Sequence, residues 1–495
     1  MKWDFSYSLL MSEPRPAPAL QAVDASAGEV RARWAGPGVH RPTATAPWPR
    51  SDLVVLLTAL GAAIFLAGIS AHPVGRDEAV SLLLVGHPLP QVLALLAAHE
   101  VHPAGYFLLL WAWPHSTLFE ARLLSWVAVV ACVPLVLLAA GRLGLRRPWL
   151  AGLLTACSPF LAYQAQETRM YAWLALFGAA ALLALVSLPE RPRPGWVIGL
   201  GVLLAAGMYI HYFAAFTALG VVAVLLTRRQ FATALQVVGV ASLLFLPGLL
   251  LMLGQTDVFL RYPSQTWQER LNMHGVDTIV GLVFGGAEYD PWGRRLAYLL
   301  AVPALYGMIR APRPVQVLLL FAAGLPLLIG FFSATLTARY LAAAVPALLL
   351  CLAIAIESLP RPAALVAAAA ALLLSLYLVQ YLVVRYDTLK PPMPTLLAAA
   401  RAAGAEFVVG HRHFAPQAAY YAHGGEAFAF VPPRIDHVGL WALPPGLAYP
   451  PSPARPVLAV DYCEGPAPIP TGYTVTRTWV NAGADFCAWL AVPPT

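Results

Sequence analysis

The chain alternates between long apolar runs and short polar turns over most of its length. Between residues 121 and 383 the apolar runs are about 15 to 23 residues long, without the spacing of a soluble helix that buries one apolar face. A run of this length can cross the hydrocarbon core of a bilayer, which is roughly 30 Å thick, as one helix. The pattern therefore predicts a helical membrane protein with many spans.

We predict about 11 membrane-spanning helices. The segment 79–118 is not counted among these spans, because the pieces 79–86 and 91–98 would each be only about 12 Å long as helices. The remaining piece, 104–118, is interrupted by Pro114. We expect short helices at the outer membrane interface here. The predicted spans lie near 53–70, 121–140, 148–163, 170–188, 196–210, 213–227, 231–253, 295–310, 315–333, 340–358 and 363–383.

Composition and charge agree with this pattern. The chain is 59% hydrophobic and 11% charged, whereas a soluble domain carries roughly 25% charged residues. The formal net charge of +7 could indicate a nucleic-acid partner, but the chain lacks a basic patch interleaved with aromatic residues. Ten of the arginines instead lie in short turns between apolar runs, which are expected to face the cytoplasm. These are Arg142, Arg146, Arg147, Arg191, Arg193, Arg228, Arg229, Arg310, Arg313 and Arg361.

The two ends of the chain differ from its middle. Residues 1–50 are rich in Pro, Ala and Arg, which predicts a disordered cytoplasmic tail rather than a signal peptide. Residues 51–386 hold the predicted spans. Residues 387–495 contain strand-like pieces (EFVVGHRH, PVLAVDYC, DFCAWLAV) and a helical piece (PQAAYYAHG), typical of a small extracytoplasmic α/β domain. The predicted fold class is an all-α polytopic membrane protein with this α/β domain at its C-terminus.

The five cysteines divide between these regions. Cys132, Cys157 and Cys351 lie in apolar runs and are expected to pack between helices. Cys463 and Cys487 lie in the polar tail and could form a disulfide if that tail is extracytoplasmic, although their spacing alone does not decide this. No cysteine spacing resembles a zinc site, and no metal is predicted.

In this topology several polar groups fall on one face of the membrane, where ionisable residues are costly unless they are paired or functional. Each group also has a structural explanation. Asp77 and Glu78 could be solvated loop charges, and His102 an unliganded loop histidine. Glu167 and Arg169 could form a structural ion pair. Interfacial anchoring would account for Arg339-Tyr340, and an aromatic belt for MYIHYF.

Together, these polar segments resemble a known family. In order, the chain contains the loop Arg-Asp-Glu at 76–78, HPAGYFLLLW, SPFLAYQAQETRMYAW, IHYF and LTARYLAAAVPALLL. Over roughly residues 50 to 385 it is similar to the integral-membrane GT-C glycosyltransferases of the protein O-mannosyltransferase-like superfamily, which includes bacterial aminoarabinose transferase. The segment after 387 resembles the extracytoplasmic tails of that family.

The resemblance implies a sugar donor on a polyprenyl phosphate, used at the extracytoplasmic side of the inner (plasma) membrane without a nucleotide, a metal or another cofactor. It places the catalytic base at Asp77, with Glu78 as the neighbouring carboxylate of the catalytic motif. His102 matches a basic residue near the lipid phosphate, and Arg339 an RY motif at the phosphate or pyranose end. The other residues assigned to substrate binding are Arg76, Tyr106, Gln166, Glu167, Arg169, Tyr171, His211 and Tyr340.

The chemistry fits this assignment. Transfer from a polyprenyl phosphate requires one carboxylate that accepts the acceptor's proton and fixed positive charge at the leaving phosphate. A transporter or flippase of lipid-linked sugars would also have many spans and intramembrane charges, but alternating access favours sites at mid-membrane. A non-catalytic assembly protein is a third alternative. The acceptor (glycan, lipid or protein) is not indicated by the sequence.

Overall fold

The computed structural model describes residues 49–70, 72–256, 271–286, 291–333, 336–385, 392–410, 414–421, 428–430, 455–463, 467–481 and 486–494. Nearly all of the predicted cytoplasmic tail, residues 1–48, lies outside the described residues.

Before residue 386, all of the regular secondary structure in the described residues is helical. Its helices are α1 Ser51–Leu66, α2 Arg76–Val85, α3 Leu89–His99, α4 Ala104–Ala112, α5 Leu118–Arg142, α6 Pro148–Ala156, α7 Pro159–Ala165, α8 Tyr171–Ser187, α9 Pro194–Ile210, α10 Ala214–Thr227, α11 Phe231–Gly254, α12 Met273–Gly285, α13 Pro291–Arg310, α14 Arg313–Leu319, α15 Leu325–Phe332, α16 Val345–Glu357 and α17 Arg361–Arg385. A π-helical turn, Leu320–Gly324, joins α14 to α15, and a 3₁₀ segment, Ala338–Ala344, leads into α16.

Five helical stretches in the described residues are long and apolar enough to cross a membrane, which supports a multi-pass membrane protein. The total of about 11 spans stays a prediction, because the other apolar helices are shorter. The five stretches are Leu118–Arg142, Phe231–Gly254, Arg313–Phe332, Ala338–Glu357 and Arg361–Val384. The shorter apolar helices are Ser51–Leu66, Leu89–His99, Tyr171–Ser187, Pro194–Ile210, Ala214–Thr227 and Met273–Gly285.

In two regions, the hydrophobic pattern alone did not predict the helices that the structure shows. The predicted span 148–163 is two helices, α6 and α7, because Ser158 caps a new helix through its Oγ and Pro159 occupies the first helical position. The interval between the predicted spans 231–253 and 295–310 contains the apolar helix α12, which the run pattern missed. By contrast, the excluded segment 79–118 does consist mainly of three short helices, α2 to α4.

Glycines allow close helix packing beneath the polar residues. A Cβ at Gly178 of α8 would overlap the carbonyl oxygen of Ala343 in the 3₁₀ segment. A Cβ at Gly307 of α13 would likewise overlap the carbonyl oxygen of Cys351 in α16. The first contact brings the middle of α8 close to the 3₁₀ segment, which also carries Arg339 and Tyr340.

The described residues after 391 form a small α/β unit, here called the cap. Its elements are α18 Met393–Ala402, β1 Glu406–Val409, α19 Ala415–Tyr421, β2 Phe428–Phe430, β3 Val457–Tyr462, β4 Thr474–Asn481 and β5 Phe486–Val492. The strand order is β2-β1-β3-β5-β4; β1 is parallel to β2 and β3, and β5 is antiparallel to β3 and β4. Cys463 and Cys487 are disulfide-bonded, with Cα atoms 5.0 Å apart.

The predicted strands and helix of the tail therefore correspond to β1, β3, β5 and α19. The sequence pattern did not predict α18, β2 and β4. A core of its own, including Phe407, Val460 and Phe486, lies between the sheet and helices α18 and α19.

Candidate active site

Glu78 and Arg122 form a buried ion pair between α2 and α5. Arg122 donates from Nε to Glu78 Oε1 and from Nη2 to Oε2, each at 2.8 Å. Neither side chain is exposed to solvent. Arg122 Nη1 also donates to the carbonyl oxygens of Ile69, at 2.8 Å, and His72, at 3.0 Å. Arg122 thereby ties the loop before α2 to the start of α5.

The carboxylate of Glu78 accepts further hydrogen bonds. The backbone N–H and the hydroxyl of Thr168 both donate to Oε1 at 2.9 Å, and the backbone N–H of Gly75 donates to Oε2 at 3.1 Å. Glu78 therefore joins three chain segments: the loop before α2, the start of α5 and the turn between α7 and α8.

Asp77, the neighbouring carboxylate, lies in a different environment. Its side chain is 41% exposed, and Arg339 Nη1 lies 3.3 Å from its Oδ2. On its other side, Arg76 Nη1 lies 3.7 Å from Oδ1. The fold thus places a solvent-accessible carboxylate between two arginines.

Arg169 lies beneath Asp77. Its Nη1 donates to the Ser81 hydroxyl at 2.8 Å and to the carbonyl oxygen of Asp77 at 3.2 Å. Burial works against its charge, but the carboxylate of Asp77 and other neighbours more than offset this and raise the pKa of Arg169. The guanidinium therefore stays charged and holds the first turn of α2 against the turn before α8.

The other polar residues of QAQETR are also buried. Gln166 is 2% exposed and Glu167 is 5% exposed, and the carbonyl oxygen of Glu167 accepts a hydrogen bond from the Ser125 hydroxyl at 2.6 Å. The side-chain nitrogen of Gln166 and both amide atoms of Gln164 have no hydrogen-bond partner among the described residues. Buried amides without partners are costly, and they are suited to binding sugar hydroxyls.

His102 is held by a buried carboxylate. Its Nδ1 lies 2.7 Å from Oε1 of Glu100, which is 2% exposed and also accepts from the Val101 N–H at 2.8 Å. Burial opposes ionisation of Glu100, but His102 and Arg169 outweigh it and lower its pKa. His102 Nε2 has no partner among the described residues. The contact with Glu100 therefore orients the His102 ring, so that its Nε2 can bind another group.

An aromatic cluster continues from His102. The ring of His211 lies 5.4 Å from that of His102, 4.7 Å from Tyr340 and 5.8 Å from Tyr171, measured between centroids. The N–H of Phe213 donates to His211 Nδ1 at 3.1 Å, so the ring proton is on Nε2. Burial lowers the pKa of His211 well below its usual range. His211 is therefore a neutral donor.

A continuous set of contacts thus connects most of the residues that the sequence singled out. It extends from Arg76, Asp77 and Arg339 to Arg169, and through Tyr171, Tyr340 and His211 to His102. Tyr106, on α4, is fully buried. The sequence pattern did not single out Ser81, Glu100, Arg122 or Thr168. Within the described ranges, no group of three or more His, Cys, Asp or Glu side chains is placed to hold a metal ion.

Comparison with known proteins supports the resemblance seen in the sequence. The family model described as dolichyl-phosphate-mannose-protein mannosyltransferase matches residues 102–252. No curated protein matches the chain in sequence. The fold is similar to that of ArnT from Cupriavidus metallidurans bound to undecaprenyl phosphate, with a TM-score of 0.56 and 13% identity over 90% of this chain and all of that one (100%).

The apo crystal structure of the same ArnT gives a TM-score of 0.57 and 14% identity, over 90% of this chain and 99% of that one. The fold therefore resembles that of ArnT over 90% of this chain. The matched family segment contains His102, the turn 166–171 and His211.

Proposed function

We propose that the chain is a membrane glycosyltransferase that moves a sugar from a polyprenyl-phosphate donor to an acceptor at the extracytoplasmic face. The pairing of Asp77 with Arg339 carries this proposal, because it places a proton acceptor beside a fixed positive charge. The family match over residues 102–252 and the ArnT-like fold support the reaction class. The undecaprenyl phosphate bound by that ArnT supports the donor class.

In the proposed reaction the acceptor hydroxyl attacks the anomeric carbon while the bond from that carbon to the phosphate oxygen breaks. The bonding electrons leave with the lipid phosphate, and Asp77 accepts the acceptor's proton. Arg339 and His102 stabilise the negative charge on the leaving phosphate. A phosphate needs no proton to leave, so a single base suffices, whereas glycosidases use two carboxylic acids.

We assign Glu78 a positioning role rather than proton transfer. Its oxygens accept hydrogen bonds from Arg122, Thr168 and Gly75, and a carboxylate that is buried and saturated in this way is poorly placed to accept another proton. The sugar would lie against the turn 166–171 and Tyr106, where the buried amides and hydroxyl can bind sugar hydroxyls. Tyr171, Tyr340 and His211 would form its aromatic wall.

For the topology we propose a cytoplasmic N-terminus and an extracytoplasmic cap in the inner (plasma) membrane, with 51–386 as the catalytic domain and 387–495 as the second domain. The arginine-rich turns support this orientation. The Cys463–Cys487 disulfide also supports it, because disulfides persist in oxidising compartments.

The test is transfer by the purified chain in detergent. A radiolabelled sugar on a polyprenyl phosphate would be incubated with the protein and a membrane extract that supplies acceptors. The proposal expects label to leave the donor lipid and appear in an acceptor only with active protein. A flippase would move the intact donor across the bilayer of a proteoliposome without breaking its sugar–phosphate bond, and an assembly protein would do neither.

A further inference from the structure

The cap contacts the loop that leads into α2. The hydroxyl of Tyr421 accepts a hydrogen bond from the backbone N–H of Val74 at 2.7 Å. The amide nitrogen of Gln417 donates to the carbonyl oxygen of the same residue at 3.2 Å. Val74 is fully buried, so both of its main-chain polar groups need partners, and α19 provides them. The cap thus holds the main chain three residues before Asp77.

Apolar packing reinforces this interaction. The rings of Tyr420 and Tyr421 pack against a small buried cluster on α2 and α5, and Leu83 of α2 packs against the core of the cap. The first turn of α2 is therefore covered by the cap on one side. The cluster consists of Val74, Ala79, Leu82 and Ala121, with Leu118 at its edge.

The same loop is fixed from the opposite direction. Arg122 binds the carbonyl oxygens of Ile69 and His72, and it also binds Glu78. The loop therefore lies between a buried arginine of the membrane domain and two polar side chains of the cap. Both sets of hydrogen bonds therefore act on the loop that leads into the first turn of α2, where Asp77 lies.

We infer that Gln417 and Tyr421 are positioning residues for the active site. The cap would then help to position the loop that leads into α2, rather than only covering it. This inference rests on the proposed role of Asp77. Their hydrogen bonds fix Val74, and through the short connection to α2 they set where the Asp77 carboxylate lies. Small displacements of a catalytic group lower turnover more than they lower binding of a substrate held elsewhere.

The experiment compares Tyr421→Phe and Gln417→Leu with Tyr473→Phe in the full-length protein. Tyr473 is the matched control, because its hydroxyl also bonds to a main-chain group, the carbonyl oxygen of Arg455, but within the cap. Three quantities are measured: sugar transfer, binding of the polyprenyl-phosphate sugar, and amide hydrogen exchange of a peptide covering residues 72–80. Exchange does not depend on activity, so it tests the interaction between cap and loop separately from the proposed function.

Loss of either hydrogen bond should reduce turnover, by up to the roughly 10²-fold that a 1 Å misplacement of a catalytic group can cost. Donor affinity should change little, exchange in 72–80 should become faster, and Tyr473→Phe should match the wild type. Wild-type exchange in 72–80 for both Tyr421→Phe and Gln417→Leu would overturn the inference. So would equal decreases of turnover and donor affinity in all three variants, because the cap would then contribute only general stability. Failure of Asp77→Asn to reduce transfer would refute the proposed base without altering the exchange result.

Discussion

Arg339 and Asp77 are 262 positions apart in the chain, yet Nη1 of the arginine lies 3.3 Å from Oδ2 of the aspartate. The start of the 3₁₀ segment and the first turn of α2 meet there, with Arg169 bound to the main chain beneath them. Two arginines thus lie within 3.7 Å of one accessible carboxylate, and their positive charge would also attract a phosphate.

Arg339→Lys should weaken binding of the polyprenyl-phosphate sugar and reduce turnover, because lysine keeps the charge but loses the planar two-donor group. Arg339→Ala should be more severe. Arg477→Lys is the matched control, since Arg477 lies in the cap and stacks on Trp479. Donor titration and initial rates provide the measurement. Unchanged affinity and rate in Arg339→Ala would contradict a role at the phosphate.

Arg122→Met should destabilise the protein by about 3–5 kcal/mol, because it leaves the Glu78 carboxylate buried without its cation. The double variant Arg122→Met, Glu78→Met should recover much of this stability, since no unpaired charge is left. Thermal unfolding in detergent measures both. A single variant as stable as the wild type, or a double variant worse than the single, would show that the pair does not hold the loop.

Acid should destabilise the wild type more than Glu100→Gln. The folded-state pKa of Glu100 is depressed below its usual value of 4.5, so its contribution is fully present well above that value and is lost as the pH falls through the folded pKa. Unfolding midpoints between about pH 7 and pH 3 provide the measurement. Glu190→Gln, at an exposed turn, is the control and should follow the wild type. Parallel curves for the wild type and Glu100→Gln would contradict the prediction.

The proposed orientation predicts that cysteine at position 478 reacts with a membrane-impermeant thiol reagent added to intact cells, and that cysteine at position 193 does not. Both positions are exposed in the structure. Cys132, Cys157 and Cys351 are buried and should give little background. Labelling of position 193 from outside, or protection of position 478, would reverse the assigned topology.

The sequence predicted the parts that depend on local pattern. The long apolar runs predicted the long helices, and the short apolar runs between residues 79 and 118 predicted the short helices α2 to α4. The order of the short polar motifs along the chain, which resembles that of a known family, assigned Asp77, His102, Arg169 and Arg339 to one site. The break at Ser158 was missed because it lies inside an apolar run, where only Ser-Pro signals a new helix start.

The rest depends on contacts between distant positions. Arg122 has its partner 44 residues away, and Thr168 donates to Glu78 across 90 residues, so neither interaction could be predicted from local spacing. Arg122 does leave one signal, a charge inside the run EARLLSWV at the start of a predicted span. The hydrogen bonds of Tyr421 and Gln417 to Val74 required the three-dimensional arrangement of the cap.

The most direct measurement of the central claim is sugar transfer by Asp77→Asn, which keeps the shape of the side chain and removes its basicity. We expect turnover to fall by roughly 10²- to 10⁴-fold, the usual contribution of a general base. Binding of the polyprenyl-phosphate sugar should change far less, because the base acts on the acceptor. Glu78→Gln should affect stability more than the chemical step. Folded, correctly inserted Asp77→Asn protein that transfers sugar at a near-normal rate would contradict the account.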